Sequence, residues 1–223
     1  MKKIQIAASW FTTIAIPFFL LMTAIRLLLT SSFVEVEYRL PGFPEDPYGF
    51  SIQDRLYWSK ISINYLLNDE TIHWLGDFEL PDGSPLYNER ELSHMLDVKI
   101  LVQKMIVVHS ILLLILLLIG FGAWRSGWLS TFGQFLIKGG WLTIGIIAAI
   151  LIGIALSFEA LFTGFHKIFF EGDTWLFRFS DTLIRLFPLR FWQDAFIFMG
   201  VITLAGAVAL ILIGKRLARK DGY

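Results

Sequence analysis

Cysteine is absent from this chain of 223 residues, and its absence excludes two kinds of structure and chemistry. No disulfide can stabilise any part of the fold, and no thiol can act as a nucleophile. Any catalysis must therefore use histidine, carboxylate, hydroxyl or backbone groups. A glycine-rich phosphate-binding motif is also absent, so the sequence predicts no nucleotide or coenzyme site.

Charged residues are scarce as well: they make up 17% of the sequence, against 56% hydrophobic and 16% aromatic residues. The mean hydropathy of +0.64 is too apolar for an ordinary soluble domain of this length. These values indicate an integral membrane protein. The formal net charge of zero gives no information about partners.

Four apolar runs are long enough to cross a bilayer, which requires roughly 20 mainly apolar residues. They lie at residues 6–29, 105–124, 141–158 and 195–214, and we predict that each contains a transmembrane helix. With the residues before and after the first run included, the chain divides into four span segments, 1–30, 105–124, 141–158 and 195–214. The segments that connect or follow them are 31–104, 125–140, 159–194 and 215–223.

Short segments at both ends of the chain and between the second and third spans carry lysine and arginine, whereas in residues 159–194 the basic residues lie among carboxylates. By the positive-inside rule, both termini and residues 125–140 face the cytoplasm, so residues 31–104 and 159–194 are extracytoplasmic. The first apolar run is longer than a signal-peptide core and lacks an A-x-A-like site after it, so we interpret it as a retained anchor. The basic residues on the cytoplasmic side are Lys2, Lys3, Arg125, Lys138, Lys215, Arg216, Arg219 and Lys220.

The first extracytoplasmic segment is long enough to form a small folded cap. Alternating apolar and polar residues in FVEVEYRL, residues 33–40, predict a half-buried strand. The sequence FELPDGSPLY, residues 78–87, predicts a hairpin around Pro-Asp-Gly-Ser. Between them, residues 51–68 have helical spacing, and Ser51 and Asp54 suit a helix start. We therefore expect a mixed α/β cap.

A titratable cluster lies directly before the second span, in NERELSHMLDVK, residues 88–99. If this stretch is helical, Glu91, His94 and Asp97 share one face. The two carboxylates are then expected to fix the tautomer of His94 and to favour its protonated form. Taken alone, the stretch favours an amphipathic helix whose polar face simply meets water, so a site here needs a second feature to support it.

A second histidine returns to the same membrane side after the third span, in a segment dense in aromatic residues, 164–192. Its aromatic and charged residues are typical of a chain lying in the headgroup zone. SDTLIRLFP, residues 180–188, predicts a short interfacial helix. An aromatic belt explains the aromatic residues without any function, but it explains His166 less well. The predicted fold is thus mainly α, with four transmembrane helices, an α/β cap and an interfacial amphipathic segment.

Three other residues are weaker candidates. His109 lies inside the second span, about 22 Å along a continuous helix from His94, so we expect a neutral histidine packed against another span. His73 is interpreted as an ordinary surface residue. Arg26 lies near the outer end of the first span and is expected to snorkel to the interface, or alternatively to stabilise negative charge there.

The order of these parts resembles a known family, the lipoprotein intramolecular transacylases called Lit. The resemblance covers essentially the whole chain, and its specific part is two outer motifs: LYNERELSHMLDVK before the second span and FHKIFFEGDTWLFRFSDTLIRLFPLRFW between the third and fourth. It implies an enzyme that moves the sn-2 acyl chain of a diacylglyceryl-cysteine lipoprotein to the free α-amino group. It also implies a substrate embedded in membrane lipids, with no acyl carrier, metal or other cofactor and no nucleic acid partner.

This chemistry needs a base to deprotonate the α-amine, whose pKa is about 8, and an acid to protonate the departing glycerol oxygen. We predict that His94 is the base, supported by Glu91 and Asp97, and that His166 is the acid, although the roles could be reversed. Further predictions concern residues around this pair. Asp173 and Asp181 are expected to orient His166, whereas Trp175 and Arg26 are expected to bind substrate.

Three alternatives remain open at the sequence level. A metal-dependent membrane hydrolase could use His94, Asp97 and His166 as ligands, although their spacing matches no HExxH-like motif. A non-enzymatic assembly factor with a partner-binding cap would need no histidine. A transporter would require polar groups within several spans, and here such groups are sparse.

Overall fold

A computed structural model describes residues 2–219 of the chain, and helices dominate it. Four of them are long and apolar enough to cross a membrane, as the sequence predicted. Met1 and the end of the predicted tail, including Lys220, lie outside the described residues. The helices are α1 (Lys2–Leu28), α2 (Ser31–Glu37), α3 (Ile52–Leu67), α4 (Ile72–Gly76), α5 (Glu89–Arg125), α6 (Leu129–Phe169), α7 (Thr182–Leu186) and α8 (Leu189–Ala218).

Helices α5 and α6 are longer than a bilayer requires, with 37 and 41 residues. Helix α5 starts at Glu89, well before the apolar run that begins at 105. In α6 the helical backbone angles are interrupted at Ser157, whose φ of −164° and ψ of 99° are extended. The Ser157 hydroxyl accepts the backbone N–H of Ala160, as an N-cap does, so a new helical segment begins there.

One compact unit contains most of the apolar helical length: Met1–Arg26, Ile106–Leu156 and Ile197–Tyr223, within the described residues. Glycines allow two of its helices to approach closely, because a Cβ added to Gly133 would lie 2.7 Å from the backbone oxygen of Gly214. Its buried core comprises Ile16, Leu20, Ala123, Phe132, Leu136 and Ala207.

The second unit consists of Leu27–Met105 and Ser157–Phe196. Its predicted helix is confirmed, since α3 begins after Ser51 and ends before Asn68. The start is a reciprocal capping box: the Ser51 side chain accepts the N–H of Asp54, and the Asp54 carboxylate accepts the N–H of Ser51. The buried core of this unit comprises Val34, Tyr38, Ile63 and Phe191.

The predicted strand at residues 33–40 is wrong, because most of this stretch belongs to helix α2. The Thr30 hydroxyl caps the helix by accepting the N–H of Phe33. Val34 and Glu37 are buried one turn apart, whereas Val36 is 54% exposed. The short period-two pattern also fits a helical face, and burial of that face decides the outcome.

The predicted hairpin is confirmed only as a tight turn. The backbone N–H of Gly83 donates to the carbonyl of Leu80, and Gly83 has a φ of +82°, which glycine adopts without strain. The pairing stops at a single isolated bridge between Glu79 and Pro85. Within residues 2–219 no strand forms, so the cap is α-helical rather than α/β.

Candidate active site

His94 and His166, the two histidines that the sequence singled out, lie together in the second unit. Their ring centroids are 6.0 Å apart, and the ring planes differ by 22°. His94 stands on the part of α5 that precedes the apolar run, and His166 lies near the end of α6. Both side chains are buried, each with 8% of its surface exposed. The pair is therefore a shielded cluster of two titratable rings.

A hydrogen bond fixes the tautomer of His166. Its Nδ1 lies 2.8 Å from the backbone oxygen of Phe162, one helical turn earlier. Because a carbonyl can only accept, the hydrogen bond assigns the ring proton to Nδ1. The lone pair is then left on Nε2, where it is able to accept a proton from a substrate.

Neither predicted carboxylate contacts the His94 ring. Glu91 is 2% exposed, and its two oxygens accept the backbone N–H groups of Asn88 and Leu183, at 2.8 and 2.7 Å. Between the described side chains of Asp97 and His94 there is no hydrogen bond or ion pair. The structure therefore shows no direct support of the His94 ring by Glu91 or Asp97.

The reason for this difference is the start of helix α5. Asn88 and Glu91 form a reciprocal cap, because the Asn88 side chain accepts the N–H of Glu91 while Glu91 accepts the N–H of Asn88. Free backbone N–H groups at a helix start are good partners for a carboxylate. The Asn-x-x-Glu spacing carries this signal, and sequence reasoning missed it.

His94 consequently lacks a counter-charge. Its Nδ1 is buried and has no hydrogen-bond partner among the described residues. Burial without a nearby carboxylate disfavours the charged imidazolium, so the ring is neutral rather than protonated as the sequence predicted.

Aromatic rings enclose the pair. The rings of Phe170 and Phe177 pack against the His94 ring at steep angles, and their centroids lie 4.9 and 5.3 Å from the His94 ring centroid. The ring of Trp175 lies 5.0 Å from that of His166. These contacts exclude water and provide an apolar lining that suits acyl chains.

The loop between α6 and α7 supplies Trp175 and Phe177. Arg90 of α5 donates from Nη1 to the Leu176 carbonyl at 3.1 Å, and the Trp175 indole donates to Gly172 within the loop. Asp181 accepts the N–H of Arg178, and Asp173 is exposed. The Nδ1 of His166 is held by the Phe162 carbonyl rather than by a carboxylate, and an orienting role of Asp173 and Asp181 stays a prediction.

The remaining candidates lie elsewhere. In the first unit, His109 contacts Arg26 and Thr23 and stacks on Phe19 at 4.9 Å, which confirms a histidine packed against another span. His73 is exposed on α4. Within residues 2–219, no three histidine, aspartate or glutamate side chains are grouped as a metal would require, so the ligand set proposed for a hydrolase is not assembled.

Comparison with known proteins gives one family. Residues 10–192 match the family described as lipoprotein intramolecular transacylase Lit. An uncharacterized protein of Aquifex aeolicus is 29% identical over 216 residues, which cover 94% of this chain and 95% of the relative.

Three solved structures of the Lit protein from Bacillus cereus have a similar fold. The first, an in meso structure of the integral membrane enzyme, is 21% identical with a TM-score of 0.84, and the alignment covers 100% of this chain and 99% of that one. A structure with one histidine replaced by arginine has 21% identity, a TM-score of 0.78 and coverages of 99% and 95%. A third, with alanine in place of a histidine, has 20% identity, a TM-score of 0.70 and coverages of 99% and 96%.

Proposed function

This chain belongs to the Lit family of lipoprotein intramolecular transacylases, and from that premise we propose that it moves the sn-2 acyl chain of a diacylglyceryl-cysteine lipoprotein to the α-amino group of the same cysteine. It is thus a multi-pass membrane acyltransferase. The proposed product is a lyso-form lipoprotein, N-acylated and carrying a monoacylglyceryl thioether. The observation that carries the proposal is the shielded pair of His94 and His166.

The reaction requires one proton to move from nitrogen to oxygen. The neutral amine attacks the ester carbonyl carbon, a C–N bond forms, and the C–O bond to glycerol breaks. The nitrogen must lose a proton and the glycerol oxygen must gain one, so a single base that becomes an acid balances the step. No oxidant, carrier or second donor is consumed.

We assign this proton transfer to Nε2 of His166. Its tautomer, held by the Phe162 carbonyl, leaves the lone pair on Nε2 available. The imidazolium formed there can then protonate the glycerol oxygen, which is attached to the same carbon as the attacking nitrogen. This reverses the base assignment favoured by the sequence, and the absence of a carboxylate beside His94 supports the reversal.

His94 then acts as a neutral hydrogen-bond donor. A neutral imidazole in a buried site can stabilise the oxyanion of the tetrahedral intermediate without carrying charge in the resting enzyme. The near-parallel rings 6.0 Å apart support simultaneous contact of both residues with one small reacting centre. Trp175 and its aromatic neighbours are proposed to bind the acyl chain, whereas the substrate contact predicted for Arg26 stays a prediction.

Alanine variants test these roles. Replacing His166 or His94 should lower turnover by about 10² to 10⁴, the usual cost of losing an acid–base group or an oxyanion donor. His73→Ala is the matched control, because this histidine is exposed and should leave turnover unchanged. Normal activity of both His94→Ala and His166→Ala, with membrane insertion intact, would exclude the proposed site.

A further inference from the structure

A chain of hydrogen bonds links two transmembrane helices outside the proposed active site. The Thr23 hydroxyl donates to the Phe19 carbonyl at 2.7 Å, so only its lone pairs remain for His109 Nε2, which lies 2.8 Å away. His109 therefore carries its proton on Nε2. Its Nδ1 is then an acceptor, and Arg26 Nη1, which can only donate, lies 3.1 Å from it.

The charged guanidinium of Arg26 is thus held by the neutral ring of His109. His109 is 7% exposed and stacks on Phe19 with an interplanar angle of 11°. Arg26 is exposed, and within residues 2–219 it forms no ion pair with a carboxylate. The protein thus orients the guanidinium, and its positive charge is available to pair with an anionic group from outside the protein.

The depth of this guanidinium matches lipid headgroups. Arg26 lies in the last turn of α1, and His109 lies four residues inside the apolar run 105–124. Both ends connect to the segment 31–104, so both residues lie near the same membrane surface. The anions that are abundant at that surface are phosphates, which a guanidinium binds through paired N–H groups.

We propose that Thr23, His109 and Arg26 form a binding site for the phosphodiester group of a membrane phospholipid. His109 positions the guanidinium, and the remaining N–H groups of Arg26 bind the phosphate oxygens. A diacylglyceryl lipoprotein has no such phosphate, so this site is independent of the proposed transacylation. It would fix one phospholipid against α1 and α5.

Arg125 is a natural control for this proposal. It also lies in the last turn of a transmembrane helix and is also exposed, although the charge bias assigns it to the opposite membrane surface. It differs in having no hydrogen bond to a histidine among the described residues. A general attraction of basic residues for lipids would involve Arg125 as much as Arg26.

The test is lipid binding to the full-length protein, purified in a neutral detergent and examined by native mass spectrometry. Phosphatidylglycerol is the probe, and diacylglycerol with the same acyl chains is the competitor that lacks phosphate. We expect Arg26→Gln and His109→Phe to weaken binding of one phosphatidylglycerol molecule at least about tenfold. His109→Asn should retain most of the affinity, because its amide oxygen can replace Nδ1 as acceptor. Arg125→Gln should bind as the wild type does.

Several results would overturn the proposal. Phosphatidylglycerol binding would be undiminished in Arg26→Gln, or Arg125→Gln would lose as much affinity as Arg26→Gln does. Diacylglycerol would bind equally well. Alternatively, inorganic phosphate would displace the lipid, which would assign the site to a free anion. Loss of turnover in Arg26→Gln with phosphatidylglycerol binding intact would instead assign the guanidinium to the reaction. Thermal unfolding in the same detergent checks that each variant is folded, and His109→Asn provides a second readout if His109→Phe is not.

Discussion

At the scale of single residues, the hydrogen bond from His166 Nδ1 to the Phe162 carbonyl decides which nitrogen can take part in chemistry. A general base needs an available lone pair, and Nε2 of His166 provides it. The Nδ1 of His94 has no hydrogen-bond partner among the described residues, and we propose that His94 donates to the oxyanion without changing its protonation state. One titrating histidine and one neutral histidine together give a simple expectation for pH dependence.

The rate of acyl transfer should rise with pH and then reach a plateau. At low pH, His166 and the substrate amine are both protonated, so neither base nor nucleophile is available. Steady-state rates of the purified enzyme from pH 5 to 9 check this. A bell-shaped profile, with a second limb that falls at high pH, would instead support the charged acid and neutral base that the sequence suggested.

Glu37 gives a prediction about stability. Burial, together with the neighbouring Asp194 carboxyl, raises the pKa of Glu37 to about 7. The folded state therefore keeps a proton that the unfolded chain releases above its ordinary value of 4.5. Stability should fall as the pH rises from 4.5 to about 7, because the folded state binds more protons in that window.

Glu37→Gln should remove this dependence and stabilise the protein at pH 8. The unfolding temperature in detergent, measured between pH 5 and 8, reports the effect, and Glu45→Gln, at an exposed carboxylate, serves as control. Equal slopes for wild type and Glu37→Gln would show that another group carries the pH dependence.

Sequence reasoning grouped His94 with His166, as the structure does, but did not predict their hydrogen-bond partners. Their proximity could be predicted because the predicted order of spans returns both histidines to the same end of the helices. The hydrogen-bond partner of His166 is a backbone carbonyl, which cannot be recognised from the type of any residue in the sequence. Glu91 is used as a helix cap. Such competition between side-chain and backbone partners is decided by packing, which the sequence pattern does not contain.

At the scale of elements, the loop between α6 and α7 controls how the histidines are covered. It carries Trp175 and Phe177 against them, and Arg90 ties it to α5 through the Leu176 carbonyl. Since both histidines are buried, we expect this loop to move when a substrate enters.

Arg90→Ala should make the loop more accessible to protease. Trypsin cleaves after arginine, and the exposed Arg178 lies in the loop, so cleavage there should be several-fold faster than in the wild type. Peptide mapping of limited digests measures the rate. Arg39→Ala removes another exposed arginine and should leave it unchanged. An unchanged rate in Arg90→Ala would mean that the arginine does not restrain the loop.

Element types could be predicted where capping and length agreed. Helix α3 followed from Ser51, Asp54 and its spacing, whereas α2 was mistaken for a strand. Eight residues of alternation are too few to separate a period of 2 from a helical face, and the buried Glu37 breaks the pattern on which the strand relied.

At the scale of the whole molecule, residues 2–219 contain four helices that are long and apolar enough to span a membrane, and apolar length is why the sequence predicted this number. Orientation rests on charge bias, and we propose cytoplasmic termini with the histidine pair at the extracytoplasmic face. The lack of native cysteine makes single labels possible. In intact cells an impermeant thiol reagent should label Ser84→Cys but not Ser126→Cys, and the opposite pattern would invert the topology.

The most direct measurement uses a synthetic diacylglyceryl lipopeptide with a deuterated acyl chain only at the sn-2 position. It is incubated with the purified protein and unlabelled phospholipid, and the N-terminus of the product is analysed by tandem mass spectrometry. The predicted result is a deuterated acyl chain on the α-amino nitrogen and none left on glycerol, with no conversion by His166→Ala. Deuterium that stays on glycerol, or an unlabelled N-acyl chain taken from phospholipid or from sn-1, would contradict intramolecular sn-2 transfer.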